Sequence, residues 1–405
     1  GYRGPRGWRG STARSGGIRT YIQAKRRHLA AAGLHPHVLV MPGSEDRVHV
    51  EAGSTIYDVA SPYVPGYRPY RFNLRVDRVV RLLARERPDV IELASPYLMP
   101  WAAFHHRRRH RCAVVAYYHA DFPVAYVGEP VASVWGRPAG ELARRVAESY
   151  ARRVHEACDL TVTASPTYHA RLRHMGIQRV EEVPLGVDLE LFHPRRARPE
   201  VWDTIFPDTG RGPVLAYCGR LDREKQVEVI VAAFRRLPTS LGARLFMMGE
   251  GPLRPRLQVR AAGDPRFAVH EFEPDRRRLA ELLASADLYV TAGPYETFGL
   301  SVIEAQASGL PVVGVAAGAL VDRVPPGLGA LVPAGDAPAM AAAMADQLAC
   351  DPHARGLAAR DWVARESSWD TVFDRLVDLY RDCGPSVATT AEVPAMRAAA
   401  GSTDP

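Results

Sequence analysis

From about residue 38, short runs rich in Val and Leu alternate with longer segments whose apolar positions recur every three or four residues. In the first half, "HVLVMPG" is followed by "NLRVDRVVRLLARERP", "DVIELASP", a further helical stretch and "CAVVAYYHAD". Strand, helix, strand in that order predicts a parallel sheet covered on both faces, since parallel neighbours need a crossover between them. A second series opens at "GPVLAYCGR" and runs through "VEVIVAAFRRLP", "ARLFMMGEGP", "RFAVHEF", "DRRRLAELLASA", "DLYVTAGP" and "LPVVGV". The halves echo each other: "CDLTVTASP" at 158–166 and "ADLYVTAGP" at 286–294 share a strand pattern, an Asp before it and a Pro in the loop after it. Two doubly wound α/β domains are expected, joined near "PLGVDLELFHPRRARPE", where Pro, Gly and charge replace the periodicity.

The ends depart from this rhythm. After Asp351 the pattern reads as helices, and from Gly384 the Ala, Thr and Ser-rich remainder predicts a disordered tail. At the start, "SGGIRTYIQAKRRHLAAAG" has the form of a Gly turn leading into a helix, but the fifteen residues before it contain no buried strand. The first strand of the first domain is therefore expected to be missing.

Composition narrows the function classes. A chain of 405 residues exceeds one ordinary core, and 47% apolar residues suits a globular protein. No apolar run is long enough to span a bilayer and no hydrophobic segment opens the chain, which predicts a cytoplasmic protein. Five cysteines without a CxxC pair predict reduced thiols rather than a disulfide framework or zinc site. Up to Pro194 there are 28 basic and 18 acidic residues, a net of +10; the remaining 24 basic and 27 acidic residues give −3. A basic half suits nucleic acid or an anionic membrane surface, or it simply keeps the surface solvated. No zinc finger, RNP-like or helix-turn-helix pattern accompanies it, so no nucleic acid partner is expected and membrane lipid is preferred. Of 52 basic residues only Lys25 and Lys225 are lysines, so each lysine asks for a reason.

The chemistry concentrates in "ETFGLSVIEAQASGLPV" at 296–312. Gly293 and Pro294 end a strand, "GL" at 299–300 opens a helix, and Gly309 and Pro311 close it. A helix N-terminus at the carboxyl edge of such a sheet is an anion site, and Gly299 allows close approach. Glu304 lies on the face of Leu300, roughly 5 to 6 Å deeper along the axis, an offset that suits a ribose beside a bound diphosphate. Glu296, ahead of the helix, points toward whatever the diphosphate carries. A surface helix with solvated acids would leave Glu304 without a partner among "SVIEAQA". In "CGRLDREK", Arg220 and Lys225 sit at the same edge, one a bidentate fork and the other a compact charge. His119 and Asp121 end the strand of "VVAYYHADFP" and face the cleft from the first half, although a lone histidine is more often structural. Gly16 and Gly17 offer helix-opening amides near the diphosphate or acceptor, or form a plain turn. No metal is expected: no DxD-type pair follows a strand here, and the arginines within "HHRRRH" at 105–110 would repel a cation.

Together, "SGGIRTYI", "AYYHADFP", "VPLGVDLELFHP", "YCGRLDREK", "MMGEGPLRPRL", "ETFGLSVIEAQASGLPVV" and "SWDTVFDRLVDLY" resemble the retaining glycosyltransferases of family 4, which have the GT-B fold. The likeness runs from about residue 15 to 383. It implies two Rossmann-like domains facing a cleft: an acceptor-side domain over 1–190, a nucleotide-sugar domain over 191–367, and a helix over 368–383, containing Trp369, that crosses back onto the first domain; the tail is 384–405. It also implies roles. Glu304 would bind the ribose, Glu296 the sugar hydroxyls, Arg220 and Lys225 the diphosphate, the amides around Phe298, Gly299 and Leu300 the sugar and diphosphate, and His119 the sugar near its reacting carbon. "YYHADFP" after "ELASPYLMPW" is similar to enzymes acting on lipid acceptors, including phosphatidylinositol mannosyltransferases and sulfoquinovosyl lipid synthases. The implied activity is metal-independent transfer of a hexose, with GDP-mannose as donor and no further cofactor, to a lipid or glycan hydroxyl at the inner face of the cytoplasmic membrane. A nucleotide-sugar-binding protein without catalysis and a UDP-sugar epimerase of similar build are the rival readings.

Overall fold

A computed structural model describes residues 17–34, 37–51, 53–64 and 71–383. The expected missing strand, Gly16 and the tail from residue 384 lie outside the described residues.

The second half forms one parallel sheet of six strands, in the order Phe267–His270, Arg244–Met248, Val214–Cys218, Leu288–Val290, Val312–Val315 and Gly329–Val332. Every residue of the four central strands is buried, as continuous Val and Leu runs require when helices cover both faces. In chain order the sheet reads 3-2-1-4-5-6. Winding proceeds one way from strand Val214–Cys218, then restarts on its other side at Leu288–Val290, and the two adjoining carboxyl edges leave a crevice there.

In the first half, four parallel strands stand in the order Val90–Leu93, Ala113–Tyr117, Leu160–Thr163 and Val180–Glu182. A separate sheet pairs His37–Gly43 in parallel with Ser54–Ala60, whose other edge carries Arg47–Glu51 antiparallel. The sequence pattern passed over Arg47–Glu51. Its Val48 and Val50 face solvent on an edge strand, so alternation there does not mark a core. The long helix Arg137–Glu156 was passed over as well, because its stripe of small residues, Gly140, Ala147 and Ala151, is weakly apolar.

The echo between the halves has a structural basis. Asp159 Oδ2 accepts from Val114 N at 2.8 Å, and Asp287 Oδ2 accepts from Val214 N at 2.7 Å. In return the Asp159 and Asp287 amides donate to the Val114 and Val214 carbonyls. Each aspartate thus stitches the start of its strand to the start of the neighbouring one, which satisfies backbone groups that lie before the ladder begins.

The C-terminal helix Trp369–Cys383 packs on helix Gly17–Ala31, as a crossing helix should. His28 lies between Asp370 at 3.3 Å and Asp374 at 3.0 Å, and Phe373 meets Tyr21 with ring centroids 5.7 Å apart. Here the first of the two lysines has its reason. Lys25 Nζ lies 2.8 Å from Glu92 Oε2 and donates to the Tyr380 hydroxyl at 2.9 Å, while Tyr380 and Tyr21 both donate to Glu92. Lys25 and Glu92 are each only 15% exposed. Removing one member of such a pair strands the other charge, whereas replacing both is far milder. Glu92→Gln is therefore expected to cost on the order of 3 kcal/mol, and Lys25→Met with Glu92→Gln to recover most of it. Urea midpoints of the wild type and the two variants test this; a double variant no more stable than the single one would count against it.

Candidate active site

Two loops leave the adjoining carboxyl edges at the winding reversal, residues 219–226 after Val214–Cys218 and residues 291–299 after Leu288–Val290. They converge on one contact: Lys225 Nζ lies 2.6 Å from Glu296 Oε2, with the side chains 17% and 24% exposed. The Lys225 amide donates to Asp222 Oδ1 at 3.0 Å, and the next residue, Gln226, holds φ +47°, a left-handed conformation rare outside glycine. That turn lets Val227 begin the helix Val227–Phe234 while Lys225 stays aimed at the crevice. Strain of this kind, about 1 kcal/mol or more, clusters at binding sites. Burial works against both charges. Glu296 and Glu224 nevertheless hold the Lys225 ammonium above its ordinary range, and Lys225 holds the Glu296 carboxyl below its own.

Glu296 also accepts from the Gly299 amide at 3.2 Å, so the acid braces the turn into helix Leu300–Ala307. Gly299 takes φ +86°, and the Glu296 carbonyl accepts from Ala319 at 2.7 Å. Gly318 is required by that contact: a Cβ there would stand 2.6 Å from the Glu296 carbonyl oxygen. The helix opens into the crevice with Phe298 and Leu300 buried beneath it. Its first amides have no carbonyl a turn earlier to donate to, and the dipole adds positive potential.

Glu304 is 4% exposed, and its partner is Arg276, whose Nη2 lies 2.6 Å from Oε1. The sequence left this acid unpartnered. Arg276 comes from the "RRR" triplet that starts another helix, and nothing in that triplet marks one arginine as inward. Arg220 meets Asp222 at 2.6 Å, Glu224 at 2.5 Å and the Tyr126 hydroxyl at 3.4 Å. Tyr126 belongs to the wide helical turn Pro123–Gly128 of the first half. Arg220 thus faces the other domain, on the loop it shares with Lys225.

The first half closes over these groups. Thr297 Oγ1 donates to the His119 carbonyl at 2.7 Å, and Arg323 donates both to Phe298 O at 3.2 Å and to Ala164 O at 2.6 Å. The Thr167 amide donates to Asp322 at 3.1 Å. Neither Arg323 nor Asp322 had a motif to announce it. Gly17, first residue of its helix, lies so near Leu300 that a Cβ would stand 3.5 Å from the leucine Cδ2. The two helix N-termini therefore meet across the cleft. The His119 ring stacks on Tyr117 at 4.2 Å and touches the Tyr21 edge-on, and Nε2 is buried with no hydrogen-bond partner among the described residues. Burial pushes its pKa down to about 4, against the opposing pull of Glu92. Asp121 is turned into the first half, where Arg171 Nε lies 2.9 Å from one oxygen and Tyr118 donates to the other at 2.9 Å. Burial raises its pKa despite these partners.

The result is a closed crevice with three cations, each held on an acid, beside a helix mouth. An anion with two phosphates matches its charge pattern, and the carboxylates beneath and ahead of the helix suit hydroxyl groups. Among the described residues no group of three or more His, Cys, Asp or Glu side chains is placed to hold a metal ion, and no helix is long and apolar enough to cross a membrane.

Residues 15–191 match the family described as Glycosyltransferase Family 4, and residues 212–350 that described as Glycosyl transferases group 1. A GDP-mannose-dependent alpha-mannosyltransferase of Mycobacterium tuberculosis is 32% identical over 372 residues, covering 90% of this chain and 92% of the relative. The same organism's GDP-mannose-dependent alpha-(1-6)-phosphatidylinositol dimannoside mannosyltransferase is 32% identical over 325 residues, 77% of this chain and 78% of the relative. Among solved structures, a sucrose-phosphate synthase from Thermosynechococcus elongatus superposes with a TM-score of 0.75 at 24% identity, over 91% of this chain and 94% of the other.

Burial holds both His119 and His155 near a pKa of about 4. The unfolded chain takes up protons at histidines from about pH 6.5. Their contribution to stability is therefore fully present above that pH and is lost as pH falls toward 4. The melting temperature is expected to be level between pH 8 and 7 and to fall below pH 6.5. His119 should keep neutral-imidazole NMR shifts down to pH 5; an ordinary titration near 6.5 would contradict the burial.

Proposed function

The chain belongs to glycosyltransferase family 4, and we propose that it is a metal-independent, retaining enzyme that moves mannose from GDP-mannose to a hydroxyl of a lipid or glycan. Its mannosyltransferase relatives support the donor, and the phosphatidylinositol dimannoside enzyme among them supports a lipid acceptor; the inner face of the cytoplasmic membrane is the place proposed for the reaction. The observation that carries the reading is the Lys225–Glu296 contact at the mouth of helix Leu300–Ala307. A cation, a carboxylate and the amides of a helix N-terminus stand together at the winding reversal, where a sheet of this order takes its ligand.

In this reading the diphosphate enters between Lys225, Arg220 and the amides of Phe298, Gly299 and Leu300. Glu304 holds the ribose, sharing it with or releasing Arg276. Glu296 turns from Lys225 toward the sugar hydroxyls, and neutral His119 accepts or donates a hydrogen bond near the reacting carbon. Asp121 acts at one remove, fixing Tyr118 and Arg171 at the end of the His119 strand, and the Gly17 amide faces the same space. In the reaction the bond from the sugar carbon to the diphosphate oxygen breaks and a bond to the acceptor oxygen forms on the same face. The acceptor proton passes to the departing phosphate. Glu296 is given to the sugar hydroxyls and Asp121 is committed to Arg171, which favours front-face attack over a carboxylate nucleophile. The barrier falls mainly because the leaving group's charge meets Lys225, Arg220 and the helix amides in a site that needs little reorganisation.

Removing one such donor costs about 3 to 4 kcal/mol in the transition state, so Lys225→Ala is expected to lower kcat by at least about a hundredfold. Glu304→Gln, which weakens a charge-assisted bond to the ribose, is expected to raise the donor KM by on the order of tenfold with a smaller change in kcat. The functional test is a panel of GDP, UDP and ADP sugars incubated with membrane lipid extract, with transfer followed by radiolabel. Labelled lipid from GDP-mannose supports the assignment. GDP-mannose binding without transfer or hydrolysis would instead favour a binding protein, and donor isomerisation without acceptor an epimerase.

A further inference from the structure

The three-stranded sheet of the first half has an outer edge that invites another strand. Among the described residues, Arg47–Glu51 pairs only with Ser54–Ala60, and the register runs through all five pairs without a bulge. Val48 is 54% exposed and Val50 74%. Arg47, His49 and Glu51 alternate with them on the other face, Arg47 exposed and the other two half-buried. An open row of amides and carbonyls beside apolar side chains is a template for a further strand, which proteins usually blunt with Pro or a bulge. Neither interrupts Arg47–Glu51.

Backbone parity identifies the open groups. The Ser61 amide donates to the Gly43 carbonyl at 3.0 Å, so odd-numbered residues of Ser54–Ala60 turn their backbone groups toward His37–Gly43. Even-numbered ones turn toward Arg47–Glu51, and the Ala60 amide on that side donates to Asp46 Oδ1 at 2.8 Å. Arg47 with Asp58, His49 with Ile56 and Glu51 with Ser54 are therefore the hydrogen-bonded pairs of the hairpin. Val48 and Val50 are left with amides and carbonyls directed away from the sheet.

We propose that this edge joins a second copy of the chain, with Arg47–Glu51 pairing antiparallel to itself about His49. The occupant follows from the order of the side chains, Arg-Val-His-Val-Glu. Turned end for end, Arg47 stands opposite the partner's Glu51, Val48 opposite the partner's Val50, and His49 on the two-fold axis. The outward amides and carbonyls of Val48 and Val50 then make four backbone hydrogen bonds, and the two three-stranded sheets become one of six strands. Charge selects the orientation. Parallel pairing in register would set arginine on arginine and glutamate on glutamate, whereas the antiparallel one makes two ion pairs and joins four valines into one apolar strip. Within its own chain Glu51 is held only loosely, 3.8 Å from Arg26 Nη1, and Arg47 has no acid partner among the described residues. His49 stays turned to Asp58, 3.6 Å away in its own chain. Such a contact is isologous and closes on itself, so it ends at a dimer. Five residues a side make a small interface, and dissociation is expected on the order of 10 µM.

The test is sedimentation velocity of the full chain between about 1 and 100 µM, over which the wild type is expected to pass from monomer to dimer. Arg47→Glu sets acid opposite acid at both ends and is expected to weaken association by about tenfold or more. Arg47→Glu with Glu51→Arg exchanges the charges within each pair and is expected to restore it to within about threefold of wild type. Val50→Lys, which places a charge in the apolar strip, is expected to weaken association by about tenfold or more. Circular dichroism and GDP binding should match wild type throughout, since the loops of the candidate site contribute none of these residues. A chain that stays monomeric to about 100 µM overturns the proposal. So does a dimer that either Arg47→Glu or Val50→Lys leaves intact, or a charge-exchanged variant of native circular dichroism that stays monomeric. Association and GDP binding are read separately, so failure of the dimer leaves the glycosyltransferase reading intact, and the reverse also holds.

Discussion

A half-buried ammonium and carboxylate 2.6 Å apart, Lys225 and Glu296, set the terms for the rest of the molecule. Neither charge could be held there alone, because desolvation would exceed what a single hydrogen bond returns. The same logic repeats at Arg276 with Glu304 and at Arg220 with Asp222 and Glu224. Each cation proposed to meet a phosphate is held on an acid, and Glu296 and Glu304 among those acids are the ones proposed to meet sugar hydroxyls. A charged nucleotide sugar offers both kinds of partner at once, so in the proposed reading it would replace these contacts in kind. The two loops can then be built rigidly from a strained Gln226 and a left-handed Gly299 without leaving bare charges in a crevice.

Closure depends on backbone groups. Thr297, Arg323 and Asp322 reach across to the His119 carbonyl, the Ala164 carbonyl and the Thr167 amide. Beside these polar contacts, Ala319 shares a buried apolar cluster with Tyr118, Tyr168 and Leu172, and Leu300 lies against Gly17. A second joint lies elsewhere, where Lys25, Glu92, Tyr380 and Tyr21 bind the C-terminal helix to the first half. Both lysines of this arginine-rich chain therefore sit in buried ion pairs, one under the C-terminal helix and one at the candidate site. A compact ammonium fits where a guanidinium fork would need more room and more acceptors.

Much of this was legible in the sequence for physical reasons. Short Val and Leu runs closed by Gly or Pro and separated by helical segments suit central parallel strands, so the six-stranded sheet and its carboxyl-edge loops followed, and with them the approach of "GRLDREK" to "ETFGL". The crossing helix followed from the family likeness. What stayed hidden depends on long-range geometry. Arg276 is one of three adjacent arginines, and only the fold decides which one turns inward to Glu304. Arg323 satisfies backbone carbonyls, which leave no trace in a pattern of side chains. Asp121 sits at the expected strand end, but its carboxylate belongs to Tyr118 and Arg171. The edge strand Arg47–Glu51 carries its valines outward, where periodicity carries no information about a core.

The central claim is that the second phosphate of a nucleoside diphosphate takes the place of Glu296 on Lys225 at the mouth of helix Leu300–Ala307. Titration calorimetry with GDP and with GMP, on the wild-type chain and on Lys225→Ala, tests it most directly. The account predicts that wild type binds GDP at least about tenfold more tightly than GMP, since a charge-assisted phosphate contact contributes more than 1.4 kcal/mol, and that the substitution largely abolishes the difference. Equal affinity for the two nucleotides in wild type, or a GDP preference untouched by the loss of Lys225, would contradict it.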